Sequence, residues 1–197
     1  MRVVGTAALL AASLLLGSCS AGQDTLAEQY QESTTSNYVS GDGAVTVLAP
    51  ESRLAPVAFG GPLDREGTFD SSDYAGDVLV VNFWYAGCPP CRLEAPDLEA
   101  LHQLYQGMGV TFIGVNILDQ APTALAFAEE FGVTYPSVMD VATGQARLAF
   151  AGSISPNAVP TTLVLDREHR VAGRISGLLT DPGVLQGMID SALDEAR

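Results

Sequence analysis

One apolar stretch limits the possible folds of this chain more than any other feature. Residues 78–85 read VLVVNFWY, a run of large apolar side chains interrupted only by Asn82. A strand with apolar residues on both faces is typical of a parallel sheet that is covered on both sides. Two cysteines, Cys88 and Cys91, follow almost at once. The run therefore predicts an α/β domain in which a central strand leads directly into a cysteine pair.

The rest of the chain alternates between helical and extended patterns. Leucines and a tyrosine recur at helical spacing over residues 88–106, and Gly107 and Gly109 are suited to end that helix. The other predicted elements are strands at 44–48 and 56–63 with a turn at 64–67, a buried strand at 110–117, a helix at 122–131, a hairpin of 161–165 and 170–175, and a terminal helix at 181–196. The core order is β-α-β-α-β-β-α, preceded by an N-terminal β extension.

The first residues have the pattern of an export signal. A basic start precedes an apolar run at residues 3–16, which is shorter than the roughly 20 residues that a membrane-spanning helix needs. The following Leu16-Gly17-Ser18-Cys19 resembles the lipobox of bacterial lipoproteins, in which the thiol is lipidated and the chain is cut before it. We therefore expect a lipoprotein signal peptide at 1–18 and a membrane anchor at Cys19. A buried N-terminal helix with a chance cysteine is the alternative.

Composition separates a tether from an acidic domain. Residues 19–42 are rich in Ser, Thr, Gln and Glu, which predicts a flexible tether and places the folded domain at 43–197. The net charge of −14 leaves no basic surface for phosphate backbones, which excludes nucleic acid as a partner. With Cys19 lipidated, Cys88 and Cys91 are the remaining thiols, and such a pair normally oxidises in an exported protein.

The cysteine pair lies where the predicted central strand runs into a helix. Backbone N–H groups and the helix dipole favour thiolate over thiol at a helix start, so Cys88 is the expected attacking sulfur. Cys91 lies one turn further on, and we expect it to be more buried and to resolve the mixed disulfide. Pro89 and Pro90 suit a first helical turn, because N–H groups there have no partner within the helix.

Three other roles for a cysteine pair fit the sequence less well. A structural zinc site needs four ligands, and the two histidines, His102 and His169, lack companion spacing. Covalent haem attachment needs a histidine directly after the second cysteine, where this chain has Arg92. A purely structural disulfide across so short a loop would add little stability. We expect no metal, and no cofactor besides the redox-active disulfide Cys88–Cys91.

Three segments together resemble one protein family. FWYAGCPPCRLEAP at 83–96, GVNILD at 114–119 and VPTT at 159–162 are similar to the TlpA/ResA-like thioredoxin family, which includes CcsX-like members. The resemblance covers residues 57–196 and implies a thioredoxin fold, with a central mixed sheet flanked by helices. It also implies a cis peptide before Pro160 that faces the cysteines and offers backbone groups to a substrate chain. The substrate contacts that it implies are Trp84, Pro89, Pro90, Val159 and Pro160, and Trp84 suits a core position equally well.

Glu94, three residues after Cys91, is the candidate proton acceptor. In ResA-like proteins the matching Glu is linked to thiol pKa tuning and to proton transfer at the resolving cysteine. A surface acid that complements the helix dipole is the alternative. Asn82 stands where cytoplasmic thioredoxins carry a buried Asp, which favours Glu94 as the acceptor. Gly87 stands where the family usually has Trp, so one aromatic wall of the substrate groove is missing.

The resemblance implies a thiol–disulfide oxidoreductase at the extracytoplasmic face of the bacterial cell membrane. As a reductant in cytochrome c biogenesis it would act on the cysteine pairs of apocytochromes c and receive electrons from a CcdA-like membrane protein. An oxidant or isomerase of secreted disulfide proteins would use the same residues, because the reduction potential decides the direction. A Sco-like metallochaperone is a third hypothesis, although such proteins have a longer cysteine spacing and a partner histidine.

Overall fold

The computed structural model of the protein describes residues 44–154 and 158–195. The expected signal peptide, Cys19, the tether and the expected domain start at residue 43 lie outside the described residues. The strands are β1 (Ala44–Val47), β2 (Gly60–Pro62), β3 (Thr68–Asp70), β4 (Val78–Trp84), β5 (Val110–Asn116), β6 (Ser137–Met139), β7 (Thr161–Leu165) and β8 (Val171–Ser176). The helices are α1 (Pro89–Leu104), α2 (Ala121–Phe131), α3 (Gln145–Ala149) and α4 (Pro182–Asp194).

Strand β4 lies inside a six-stranded mixed sheet with the order β1-β8-β7-β4-β5-β6. Every residue of β4 is buried, as its apolar run predicts. It pairs in parallel with β5 from Val78 opposite Val110 to Trp84 opposite Asn116, and antiparallel with β7. The predicted mixed sheet flanked by helices is therefore confirmed, and the end of β4 points the chain into the cysteine pair.

The two faces of the sheet are covered differently. Helix α1 contacts both α2 and α4 on one face, and the Tyr105 hydroxyl of α1 donates a 2.6 Å hydrogen bond to Asp190 of α4. On the other face, Phe83 of β4 meets Phe150, which in turn meets Phe59 beside the β2–β3 hairpin. In the described part of the chain, no helix is both long enough and apolar enough to cross a membrane.

The N-terminal extension is not a single unit. Strand β1 joins the edge of the main sheet beside β8, whereas β2 and β3 form their own hairpin around the predicted turn at 64–67. The strand predicted at 56–63 is shorter, at Gly60–Pro62. Among the strands and α-helices, three were not predicted: the three-residue strands β3 and β6 and the five-residue helix α3. Elements this short contain too few residues for a helical or strand periodicity to be visible.

Candidate active site

Cys88 and Cys91 form a disulfide at the start of helix α1, with their Cα atoms 5.3 Å apart. Strand β4 ends at Trp84, and a turn closed by a hydrogen bond from the Cys88 N–H to the Tyr85 carbonyl leads to Cys88. Cys88 is the N-cap residue, and the helix begins at Pro89. The predicted placement of the cysteine pair between strand and helix is therefore confirmed.

The prolines between the cysteines decide which backbone group reaches the Cys88 sulfur. Pro89 and Pro90 occupy the first two helical positions and carry no N–H. The first available donor is the Cys91 N–H, whose nitrogen lies 3.3 Å from the Cys88 Sγ. A backbone N–H aimed at this sulfur stabilises a thiolate there more than a thiol. This arrangement favours Cys88 as the nucleophile.

The expectation that Cys91 is more buried than Cys88 is wrong for the disulfide form. Cys88 is 0% exposed and Cys91 is 2% exposed. Both belong to the apolar cluster that also contains Tyr85 and Val159, so neighbouring side chains cover the first sulfur as well as the second. At the surface beside the disulfide the chain presents Gly87, Pro89 and Leu93, and Leu93 is 68% exposed.

The Val159–Pro160 peptide bond is cis, as the resemblance implies. Val159 and the cysteines lie in the same buried cluster. The Pro160 carbonyl accepts a 2.9 Å hydrogen bond from the Gly177 N–H, and the Ala158 carbonyl accepts one from the Thr161 hydroxyl. Because both of these carbonyls have partners within the domain, an expected backbone contact with substrate would fall on Val159, and this contact stays a prediction.

Trp84 is a core residue, which corrects its expected role in substrate binding. Its side chain is 5% exposed, and its ring centroid lies 4.4 Å from that of Phe127 in α2. The indole N–H donates a 3.1 Å hydrogen bond to the Ser137 hydroxyl of β6. Gly114 of β5 makes this bond possible, because a Cβ at that position would overlap both the Ser137 hydroxyl and the indole nitrogen. Trp84 therefore joins β4, α2 and β6.

Glu94 lies inside the protein, at the centre of a buried hydrogen-bond network. The residue is 1% exposed, and its carboxylate accepts 2.9 Å and 3.0 Å hydrogen bonds from the Asn82 side-chain amide and the Leu179 N–H. Asn82 also donates to the Thr162 hydroxyl of β7. We call Glu94, Asn82, Thr162 and the Leu179 N–H the buried acid network. A surface acid that only complements the helix dipole does not describe this position.

Burial moves the Glu94 pKa into the physiological range. Loss of solvent raises the pKa from 4.5 to about 7, although the Leu179 N–H and the Asn82 amide each lower it and Asp97 adds a small increase. A carboxyl group with such a pKa exchanges protons readily near neutrality. Glu94 can therefore take up a proton and release it again within one catalytic cycle.

A small cavity connects this network with the resolving cysteine. It lies between α1 and α2. The centre of a water molecule has about 10 Å³ in which to sit, which is roughly the space that one water requires. Asn82 and Cys91 both line the cavity, together with the polar residues Asp64, Tyr135 and Ser137. Because Asn82 also donates to Glu94, it is the residue that links the Cys91 side of α1 to the buried acid.

Sequence reasoning missed two charged residues at this site, Arg92 and Asp119. Asp119 lies between β5 and α2, and its carboxylate accepts a 2.6 Å hydrogen bond from the Ala86 N–H. Arg92 follows Cys91 and donates to the Ala86 carbonyl. The pattern Asn116-x-x-Asp119 at the end of a predicted strand was a usable signal, because Asn and Asp often cap turns there. Within the described ranges, no group of three His, Cys, Asp or Glu side chains is placed to hold a metal ion.

Comparison with known proteins agrees with this geometry. The Redoxin family model matches residues 50–184. The chain is 34% identical over 115 residues to the thiol-disulfide oxidoreductase ResA of Geobacillus thermodenitrificans, which covers 58% of this chain and 63% of the relative's length. It is 34% identical over 133 residues to the thiol:disulfide interchange protein HelX of Rhodobacter capsulatus, covering 67% of this chain and 70% of HelX.

Solved structures give the same fold. A secreted thiol-disulfide isomerase from Corynebacterium glutamicum superimposes with a TM-score of 0.69 at 28% identity, covering 79% of this chain and 95% of the isomerase. A DsbF homologue from Corynebacterium diphtheriae gives a TM-score of 0.65 at 28% identity, covering 77% and 94%. The expected thioredoxin fold is confirmed. With its cysteine pair at the start of α1, the chain belongs to the Redoxin family and is TlpA/ResA-like.

Proposed function

We propose that this protein acts outside the cytoplasm as a membrane-anchored reductant of apocytochrome c, opening the client's cysteine pair before haem attachment. The observation that carries the proposal is the buried carboxyl of Glu94, which lies three residues after Cys91 on α1 and accepts a hydrogen bond from Asn82, a residue that lines the same cavity as Cys91. The similarity to ResA and HelX supports a thiol–disulfide exchange activity. The chain spans 63% of the length of the Geobacillus ResA protein, so the client and the electron donor are part of the proposal.

The exchange begins with the reduced domain. The Cys88 thiolate attacks one sulfur of the client disulfide, which forms a mixed disulfide and releases the other client sulfur as a thiolate. The Cys91 thiol then loses its proton, and Glu94, one helical turn further along α1 and oriented by Asn82, is the proton acceptor. The Cys91 thiolate attacks the Cys88 sulfur, which releases the second client sulfur as a thiolate and leaves the Cys88–Cys91 disulfide. The two client thiolates become a dithiol by taking up one proton from Glu94 and one from solvent. Two electrons have passed to the client.

The client follows from the chemistry of haem attachment. Haem vinyl groups add to free thiols, and an oxidising compartment closes a cysteine pair before haem arrives. A dedicated reductant is therefore needed there, and it must itself be reduced again by a membrane donor of the CcdA-like kind. The cell-level test is deletion of the gene. Covalent haem cytochromes should be lost while other secreted disulfide proteins stay intact, and an external thiol should restore the cytochromes.

A second candidate function is oxidation or isomerisation of disulfides in secreted proteins. The observation that favours it is the similarity to the secreted isomerase of Corynebacterium glutamicum, which extends over 95% of that chain. The two functions use the same sulfur atoms in opposite directions. Normal cytochrome c levels in the deletion strain, together with misoxidised secreted proteins, would select this second function.

The reduction potential of the purified domain separates the two candidates directly. A reductant should equilibrate near the potential of thioredoxin, about −270 mV, and a strong oxidase near that of DsbA, about −120 mV. The same preparation should be given an oxidised Cys-x-x-Cys-His peptide and, separately, a reduced secreted protein. Preferential reduction of the peptide supports the proposal, and preferential oxidation of the secreted protein contradicts it.

The lipid anchor is tested separately from the chemistry. Cys19→Ser should release the protein from the membrane fraction while the purified variant keeps the thiol–disulfide exchange rate of the wild type. Mass spectrometry of the wild type should find a lipid on Cys19. If the wild type carries no lipid, or if the variant still partitions with membranes, anchoring at Cys19 is wrong.

A further inference from the structure

The backbone of Ala86, two residues before Cys88, is held by charged side chains at both its N–H and its carbonyl. Its N–H donates a 2.6 Å hydrogen bond to the Asp119 Oδ2. Its carbonyl accepts a 3.3 Å hydrogen bond from the Arg92 Nη1. The two side chains come from different elements, Asp119 from the segment between β5 and α2 and Arg92 from α1. We call Asp119, Arg92 and their two hydrogen bonds to the Ala86 backbone the clamp, because they tie Ala86 both to the segment between β5 and α2 and to α1.

Asp119 is itself held in place by a buried residue. Asn116, the last residue of β5, is 0% exposed and donates from Nδ2 to the same Asp119 Oδ2 at 2.9 Å. The Asn116 Oδ1 accepts the N–H groups of Leu118 and Asp119 at 3.1 Å and 2.8 Å. This closed set of hydrogen bonds joins Asp119 to the central sheet, so the carboxylate presents its oxygen to Ala86 from a rigid base.

Arg92 is also restrained, from the side of α2. Its Nη2 donates a 2.6 Å hydrogen bond to Glu130, and its guanidinium carbon lies 4.7 Å from the centre of the Phe131 ring. A planar guanidinium that stacks on a ring and forks between two acceptors loses much of its freedom before it contacts Ala86. The Ala86 carbonyl is thus held by a pre-oriented donor.

The backbone of Ala86 lies directly before Gly87, a residue type with high conformational freedom. Gly87 is exposed and separates Ala86 from Cys88, and glycine has more backbone freedom to lose than any other residue. In the disulfide form, Cys88 is also held covalently by its bond to Cys91. In the dithiol form that bond is broken, and the hydrogen bonds at Ala86 and the Tyr85–Cys88 turn remain as restraints on the loop.

We propose that Asp119 and Arg92 are positioning residues that hold the Cys88 sulfur in its reactive place after the disulfide has been reduced. Reduction adds two electrons and two protons and converts the S–S bond into two thiols, so it removes a restraint that the clamp then replaces. Because the clamp holds the Cys88 loop in the geometry that the disulfide also needs, it favours closure of the S–S bond, and losing it makes the disulfide easier to reduce. The inference concerns the dithiol itself and is independent of the client.

The test compares two substitutions of one residue. Asp119→Ala removes the acceptor, whereas the side-chain oxygen of Asp119→Asn can occupy the place of Oδ2 and accept both hydrogen bonds without the charge. The equilibrium constant for reduction by glutathione should rise about tenfold in the alanine variant, which is about 30 mV for a two-electron couple. The asparagine variant should stay within about twofold of wild type. The exposed Glu129→Gln of α2 is the matched control and should not change.

Rate and stability measurements exclude a merely structural role. In Asp119→Ala the alkylation rate of reduced Cys88 should fall, and the thermal unfolding temperature should drop more for the disulfide form than for the dithiol form. Arg92→Ala should act in the same direction, and the double variant should show less than the summed effect, because both side chains hold the backbone of one residue, Ala86. Equal destabilisation of the two redox forms, or an unchanged equilibrium constant, would overturn the proposal. An asparagine variant as defective as the alanine variant would assign the effect to charge and overturn it too.

Discussion

The two cysteines lie in different surroundings: Cys88 ends a loop that reaches the surface, and Cys91 lies above the buried acid network. The Cys88 loop, residues 85–88, reaches the surface at Gly87 and is held by charged side chains that act on its backbone. The buried acid network lies beneath Cys91, and Glu94, Asn82 and Thr162 are 1%, 6% and 2% exposed. Solvent weakens the interactions between charged groups near the surface, so Asp119 and Arg92 act there mainly by fixing the position of the loop. In the interior, burial raises the pKa of the Glu94 carboxyl group, which makes that group suitable for proton transfer.

Helix α1 serves both regions because its sides face different surroundings. Cys91 and Glu94 lie on the buried side, toward β4, and Arg92 lies between them in sequence but faces the outer surface beside α2. A helix turns by 100° per residue, so adjacent residues necessarily point to different environments. The different surroundings of Cys91, Arg92 and Glu94 are therefore a consequence of helical geometry in the CPPCRLE segment.

The largest expected effect separates the roles of the two sulfurs. Cys91→Ser should abolish turnover and accumulate a mixed disulfide with the client, because Cys88 attacks and no second thiol resolves the product. Cys88→Ser should abolish turnover without a trapped complex. Non-reducing electrophoresis followed by mass spectrometry of the adduct measures both. Trapping by Cys88→Ser in place of Cys91→Ser would reverse the assignment of nucleophile and resolving cysteine.

The next effect is the pH dependence that Glu94 contributes to stability. The pKa in the folded state, about 7, lies above the ordinary value of 4.5, so the folded state keeps a proton that the unfolded state has released. The stabilisation is present at low pH and is lost as pH rises from about 4.5 to about 7, by up to about 3 kcal/mol. Glu94→Gln should flatten this dependence.

Urea unfolding of the oxidised domain at pH 5 and at pH 8 measures this contribution. The difference between the two pH values should be smaller in Glu94→Gln than in the wild type, and subtracting the two removes titrations that both proteins share. The same variant should turn over more slowly, with an altered pH profile, without complete loss of activity. A pH dependence of stability that is identical in both proteins would mean that Glu94 titrates normally.

A smaller effect tests whether Trp84, between the two regions, belongs to the core. Trp84→Phe removes the hydrogen bond to Ser137 and part of the contact with Phe127. The free energy of unfolding should fall by about 1 to 2 kcal/mol. The KM for a client peptide should change less than about twofold, because Trp84 lies away from the surface. A large rise in KM with unchanged stability would restore the substrate-binding role.

The smallest effect is expected at the surface end of the clamp. Glu130→Gln weakens an ion pair whose arginine and glutamate side chains are 40% and 55% exposed. Exposed pairs of this kind contribute less than about 1 kcal/mol, so stability should change little. The alkylation rate of reduced Cys88 should also hold, because Arg92 still packs on Phe131 and donates to Ala86. A strong loss of Cys88 reactivity would show that the charge of Glu130, rather than geometry, controls the loop.

The main elements could be predicted because their patterns are long or sharply bounded. The run at 78–85 became β4, and the helix expected at 88–106 became α1, one residue later at its start because Cys88 is the cap. The hairpin of β7 and β8 and the cap and proline at Asp181 and Pro182 were also predicted correctly. Strands β3 and β6 and helix α3 were missed, since three and five residues carry no readable periodicity.

The cover over Cys88 and the clamp at Ala86 could not be predicted for a different reason. Exposure depends on which distant residues arrive at a site, and Val159 joins the buried cluster of the cysteines from a separate part of the chain. The same holds for Asp119, which meets Ala86 across 33 positions of sequence. The cysteine motif specifies only its own residues. Which other segments lie beside it depends on the pairing of β4 with β5 and β7.

By itself, the sequence determined the chemistry available to this protein. Two cysteines two residues apart at a strand-to-helix junction specify a dithiol, and the prolines between them leave one N–H for the first sulfur. The tertiary structure alone decided what Glu94 can do. Its hydrogen-bond partner at Leu179 lies 85 positions away, and the carboxyl is buried among β4, β7 and the chain that enters α4. A carboxyl pKa depends on the solvent it has lost, and loss of solvent is a property of packing.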